Sequence, residues 1–154
     1  MIVKAEKKDI PELVRLRLAY LAEDTGFKND EEKETAAARL PAYFEKHLNE
    51  DLTVFLAKED GKTAACAFLL VTEMPMSPSF PNGRTGTVLN VYTDPSCRRQ
   101  GYGRAVMTEL LAEGKRLDLS RIELKATKDG YPLYQKLGFR DSSKEYPLMK
   151  WVYR

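Results

Sequence analysis

Apolar positions along the chain change period repeatedly, and the changes predict strands and helices in alternation. Residues 1–6, with Ile2, Val3 and Ala5, predict a first strand. Asp9-Ile10-Pro11 opens a helix with proline in its first turn, where the missing N–H costs nothing. Ile10, Leu13, Val14, Leu18 and Leu21 form its apolar stripe, and Thr25-Gly26 stops it. Asn29 with Glu32 three residues on has the spacing of a capping box. The helical stretch it opens turns Ala36, Ala37, Leu40, Tyr43, Phe44 and Leu48 inward, and Pro41 predicts a kink or a division into two short helices.

Residues 52–57 and 63–72 predict two antiparallel strands around Glu59-Asp60-Gly61-Lys62, an Asp-Gly hairpin turn. The proline-rich stretch 74–84 is longer than a hairpin needs and reads either as a lid or as a mobile loop. A strand at 87–93 ends at Asp94-Pro95, because proline cannot continue the ladder. Gly103, Val106, Met107, Leu110, Leu111, Gly114 and Leu117 then recur at helical spacing, and 121–126 predicts another strand. Strand, helix, strand implies a parallel pair with a right-handed crossover. A short helix at 133–137 ends at Gly138, and Phe139 onward with 148–153 predicts a closing antiparallel hairpin. The class is α/β of the α+β type, with one domain over residues 1–154.

Composition narrows the partners. With 25 basic and 23 acidic residues, a formal charge of +2 is too balanced for a broad phosphate footprint, so no nucleic acid is expected. There is no membrane-length apolar run and no signal-peptide core, which predicts a cytoplasmic protein. The two cysteines and single histidine offer no metal-ligand spacing, so no metal is expected. Cys66 reads as a small core residue, Cys97 as an incidental turn residue and His47 as a surface or helix-end residue. Glu23, Asp24, Asp30, Glu31, Glu32 and Glu34 read either as solvated helix faces or as an acidic rim for a cationic substrate.

The basic charge is concentrated where the 87–93 strand meets its helix, at Arg98-Arg99-Gln100-Gly101-Tyr102-Gly103-Arg104. A helix start presents unpaired N–H groups and a positive dipole end. Gly101 and Gly103 remove the Cβ atoms that would keep an anion from the backbone, and three arginines add charge. A pyrophosphate suits such a cradle, each charge-assisted hydrogen bond being worth about 1.5–3 kcal/mol.

Arg98-x-x-Gly101-x-Gly103 after its strand resembles the acetyl-CoA motif of the GCN5-related N-acetyltransferases, the GNAT family. Gly130-Tyr131-Pro132-Leu133-Tyr134-Gln135-Lys136-Leu137-Gly138-Phe139 resembles a second segment of the same family. The resemblance covers essentially the whole chain. It implies a mixed, mostly antiparallel sheet with a splayed parallel pair, flanked by helices. It also implies acetyl-CoA as cosubstrate and a small-molecule or peptide amine as acceptor, the amine attacking directly in a ternary complex. A homodimer is one assembly it allows.

By that resemblance Leu89, Asn90 and Val91 lie along the pantetheine arm, and a backbone N–H near Val91 faces the developing oxyanion. Arg98, Arg99, Gln100, Gly101, Tyr102, Gly103 and Arg104 hold the phosphates, with Thr127 and Lys136 flanking the cofactor. Many relatives carry an asparagine where this chain has Ala126-Thr127, and Thr127 is its candidate substitute. Tyr134 is the expected proton donor to the departing thiolate, and a helix aromatic packed on the sheet is the alternative. Glu73, Asp94 or a water chain from either is the candidate general base.

Other phosphate-binding classes fit less well. A dinucleotide fold needs a third glycine where Val106 stands, and a Walker loop is absent. A non-catalytic acyl-CoA-binding or regulatory module would keep the cradle without turnover, and Tyr134 argues against it.

Overall fold

Asp60 and Gly61 have φ of 49° and 76°, the two positive values that a two-residue type I′ connection demands. They join β2 (Leu52–Glu59) to β3 (Lys62–Glu73), with Glu59 opposite Lys62. In this computed structural model, which describes residues 1–142 and 146–154, β1 (Ile2–Lys4) pairs antiparallel to β2. On the other side β3 pairs antiparallel to β4 (Arg84–Thr93), and β4 runs parallel to β5 (Arg121–Glu123). The sheet order is β1-β2-β3-β4-β5.

Two helices, α1 (Ile10–Asp24) and α2 (Asp30–His47), cover one face, where Leu13, Leu16, Phe44 and Leu48 pack with Val54, Leu56 and Phe68. The opposite face takes α3 (Tyr102–Arg116), whose Val106, Met107 and Leu110 lie on Ala65, Ala67, Leu69 and Val88. Small residues in β3 let α3 approach closely, and each buried Leu or Met contributes about 1.5–3 kcal/mol. The short α4 (Tyr131–Leu137) joins this second cluster through Tyr134. Glu113 fastens α3 to the sheet edge: it accepts from Lys4 Nζ at 2.8 Å and from Arg116 Nε at 2.9 Å. Those cations hold its carboxyl down at about 2, the Arg116 hydrogen bond being the larger cause.

The Asn29 cap forms as its spacing predicts, its Oδ1 accepting from Glu32 N at 2.8 Å. Glu32 reaches back to Lys28 N at 3.1 Å, one residue beyond the box geometry. Several expectations need correction. On α1 the buried residues are Ile10, Leu13 and Leu16, while Val14, Leu18 and Leu21 are half-buried, so the stripe is rotated. α2 runs unbroken through Pro41, so the stretch is not divided into two short helices; around it the helix packs through Leu40 and Phe44. The 74–83 stretch closes against β5's entrance, with Met74 N donating to Gly83 O at 2.7 Å and Asn82 Nδ2 to Asp118 O at 2.5 Å. These bonds tie the stretch to the start of β4, at the opposite end of that strand from the arginine turn.

The closing hairpin needs correction as well. No strand follows β5 among the described residues, and the turn of that hairpin, 143–145, lies outside them. The 121–126 strand is likewise only three residues long, because β5 leaves β4 after Glu123. No helix among the described residues is long and apolar enough to cross a membrane.

Candidate active site

The departure of β5 creates the site. Ladder pairs run Thr85–Arg121, Gly86–Ile122 and Thr87–Glu123 and then stop, while β4 continues to Thr93. From Val88 onward one edge of β4 lacks a strand partner among the described residues. On its other edge the β3 register slips between Cys66 and Phe68, where Cys66 faces Tyr92 and Phe68 faces Leu89. The extra β4 residue is a bulge at Asn90–Val91, with Asn90 at φ 53°. Bulges re-aim the chain and leave a backbone group unpaired.

The bulge sorts the predicted residues to two faces. Leu89 packs with the α1/α2 cluster and Val91 with the α3/α4 cluster that holds Tyr134. Asn90 is buried, its Oδ1 accepting from Arg17 Nη1 at 3.2 Å and its Nδ2 lying 3.6 Å from Cys66 Sγ. Burial pushes the Cys66 thiol up to about 12, which fits a core residue and no nucleophile.

At the end of β4, Asp94 caps the next turn, its Oδ1 accepting from Ser96 N at 3.0 Å and Ser96 Oγ at 2.6 Å. The Ser96 bonds hold its carboxyl below the ordinary range. Arg99 and Gly101 follow with φ of 61° and 87°. Left-handed residues alternating with others turn successive N–H groups inward, a concave anion nest. Gly101 is also the N-cap of α3, and nothing lies within 4 Å of the place its Cβ would take. Gly103 sits where a Cβ would be 3.5 Å from Thr93 Oγ1 and 3.6 Å from Leu133, so β4, α3 and α4 converge there.

The arginines divide their work. Arg98 Nη2 lies 2.7 Å from both Glu23 carboxylate oxygens and Nε 3.0 Å from Thr93 O, which ties the turn to the end of α1. Its side chain is thus a brace, and Glu23 is paired rather than free on a rim. Asp30, Glu31 and Glu32 occupy the first turn of α2, where the helix dipole favours acids. Arg99 and Arg104 are exposed and have no carboxylate partner among the described residues. Gln100 Nε2 lies 3.5 Å from Ser96 O, and Tyr102 is half-buried on the cluster beneath α3.

Tyr134 is 8% exposed, its ring edge-on to Phe139 at 5.9 Å. Burial, with a smaller contribution from Tyr20, pushes its phenol up to about 12, so it keeps its proton throughout the physiological range. A Cβ at Gly130 would lie 2.8 Å from the Tyr134 ring; only glycine leaves room for the ring there. Thr127 Oγ1 accepts from Gly130 N at 3.1 Å, fixing the turn into α4, and Lys136 is exposed on that helix. Glu73 pairs with Arg84 at the start of β4, roughly 20 Å along the strand from Val91 at about 3.3 Å per residue. Being antiparallel to β4, β3 ends where β4 begins.

Two residues escaped the sequence reading, Arg17 and Tyr20. Arg17 lies 5.8 Å from the Tyr20 ring centre and donates to Asn90 Oδ1. Their signal was present: Leu13, Arg17 and Tyr20 fall four and three residues apart on one helix face, so polar groups continue an apolar stripe.

Known proteins share this fold. A predicted acetyltransferase from Clostridium acetobutylicum, crystallised with acetyl-CoA, superposes with a TM-score of 0.82 at 31% identity over 97% of this chain and 95% of that one. A GCN5-related N-acetyltransferase from Ralstonia eutropha gives 0.77 at 27% identity over 97% of each chain. A glucosamine 6-phosphate N-acetyltransferase from Trypanosoma brucei is 28% identical over 97 residues, 62% of this chain, which thus spans only 63% of that curated relative. The family model for GNAT acetyltransferases matches residues 15–139, from α1 through Phe139, and the chain belongs to that family.

Proposed function

We propose that residues 1–154 form a single N-acetyltransferase domain that moves the acetyl group of acetyl-CoA to a primary amine by direct attack within a ternary complex. The observation that carries this reading is the open end of β4: a strand edge without a partner runs into a nest of N–H groups flanked by two uncommitted arginines. The pantetheine arm pairs with β4 beside Leu89, Asn90 and Val91, and the pyrophosphate rests on residues 99–104. A backbone N–H at the bulge near Val91 stabilises the oxyanion as the amine attacks the thioester carbon, usually the largest catalytic contribution.

Tyr134 then donates its proton to the coenzyme A sulfur as the C–S bond breaks. Its hydroxyl has no protein partner among the described residues, although its ring is buried, which leaves the oxygen available. A phenol held near 12 is a weak acid. It serves because the thiolate forms in the same water-poor gap and gains more from a hydrogen bond there. Asp94 is occupied as a cap and Glu73 is distant, so the amine's proton leaves through water.

The acceptor is tested by following acetyl-CoA consumption across polyamines, aminoglycosides, amino acids, peptide N-termini and amino-sugar phosphates. Arg17 stands unpaired with any carboxylate among the described residues, which favours an amine that also bears an anionic group over a polycation. Turnover of at least one amine supports the reading. Tight acetyl-CoA binding with no turnover of any acceptor identifies a binding or regulatory module instead.

A further inference from the structure

A charge drawn out of water needs a partner. Among the described lysines and arginines only Lys58 and Arg17 are half-buried; the others are exposed. Lys58 Nζ has Asp9 Oδ1 at 3.3 Å. Arg17 has no carboxylate partner among the described residues. Its hydrogen bond there runs from Nη1 to Asn90 Oδ1, at 3.2 Å. Asn90 is 3% exposed and held on its other side, with Nδ2 3.6 Å from Cys66 Sγ. A neutral amide orients a guanidinium without cancelling its charge, as a carboxylate in the same place would.

The atoms left over have a definite shape. Arg15 and Arg116 grip Glu12 and Glu113 with the edge formed by Nε and Nη2, the planar fork that matches a carboxylate. On Arg17 the same edge is free among the described residues, because Asn90 takes Nη1. No buried side-chain nitrogen or oxygen among them lacks a partner, so the free edge opens to solvent and not into the core. The Tyr20 ring, 5.8 Å from the guanidinium carbon, gives it an aromatic wall. Asn90 also forms the bulge beside Val91, so the tether sets the fork next to the strand segment where the proposed function puts the thioester.

We propose that Arg17 is the specificity residue of this acetyl transfer and that the acceptor is an amino acid, its carboxylate seated on the Nε and Nη2 edge while its amine reaches the thioester; the assignment rests on the acetyltransferase reading above. A carboxylate suits the fork better than a phosphate. Two parallel donors on one cation balance a single charge, whereas a phosphate ester carries about −1.5 to −2, and no second half-buried cation among the described residues is free to share it. A polyamine or aminoglycoside would set further cations against the guanidinium.

The test compares each protein amino acid with its carboxamide, which keeps the amine and removes the negative charge. Coenzyme A release should favour the acid of at least one pair by about 10–100-fold in kcat/KM, the worth of a charge-assisted contact. Arg17→Gln should bring the acid down to the level of its carboxamide through KM, with acetyl-CoA affinity and helical circular dichroism retained, and Arg17→Lys, which keeps the charge without the fork, should recover part of the preference. Calorimetry of the same pairs into protein saturated with coenzyme A reads the carboxylate seat without turnover. Acid-selective binding with no coenzyme A release upholds the seat and sinks only the transfer. Equal use and equal binding of acid and carboxamide, turnover confined to an amino-sugar phosphate or a polyamine, or an Arg17→Gln loss shared equally by acid and carboxamide overturns the assignment.

Discussion

The two halves of β4 do opposite things with one strand. The first half, 84–87, is paired on both sides, by β3 and by β5, and its entry loop is pinned through Asn82 to Asp118. The second half, 88–93, is paired on one side only among the described residues, carries a bulge at Asn90, and feeds a turn with two left-handed residues. The closed half fixes where the open half lies; under the proposed function, the open half leaves main-chain groups for the cosubstrate.

Variants that act on the open half should therefore alter function before stability. The largest effect is expected from Tyr134→Phe, which removes the hydroxyl and keeps the ring: kcat should fall about 10²–10⁴-fold with acetyl-CoA affinity nearly unchanged. Stopped-assay kinetics beside equilibrium binding separate the two, and wild-type turnover would make Tyr134 a packing residue. Next comes Gly101→Glu, which places a carboxylate in the empty space over the nest and should weaken acetyl-CoA about 100-fold or more, with thermal stability falling by only about 1 kcal/mol for the left-handed backbone.

Changes in the closed half should do the reverse. Glu113→Gln should cost about 2 kcal/mol in denaturant unfolding, since it weakens charge-assisted bonds from Lys4 and Arg116. The native carboxyl sits near 2, below its ordinary 4.5. Its contribution is thus complete above about pH 5 and disappears as pH falls from 4.5 towards 2, so wild type and variant should converge in stability at the acid end. The smallest effect is expected from Arg104→Ala, an exposed charge beside the nest: about tenfold weaker acetyl-CoA binding or less, and a shallower dependence on salt.

Sequence made the closed half and the frame readable because local rules suffice there. Asp60-Gly61 could form little except a tight hairpin, Asn29 could cap α2 by itself, and Arg98 to Gly103 announced the nest by composition. The brace between Arg98 and Glu23 was not readable, since it joins residues far apart in the chain that meet only when α1 packs on the sheet. For the same reason Glu73 looked close to the site: a strand's direction is plain in sequence, whereas which end of its neighbour it meets depends on pairing.

The central claim is that the open end of β4 and the 99–104 nest bind acetyl-CoA. Isothermal titration calorimetry of the wild-type chain with acetyl-CoA, coenzyme A and a nicotinamide dinucleotide tests it directly. The account predicts one site per chain for acetyl-CoA and coenzyme A, weakened by salt as a pyrophosphate contact must be, and no heat from the dinucleotide. Binding of the dinucleotide with none of acetyl-CoA would contradict it.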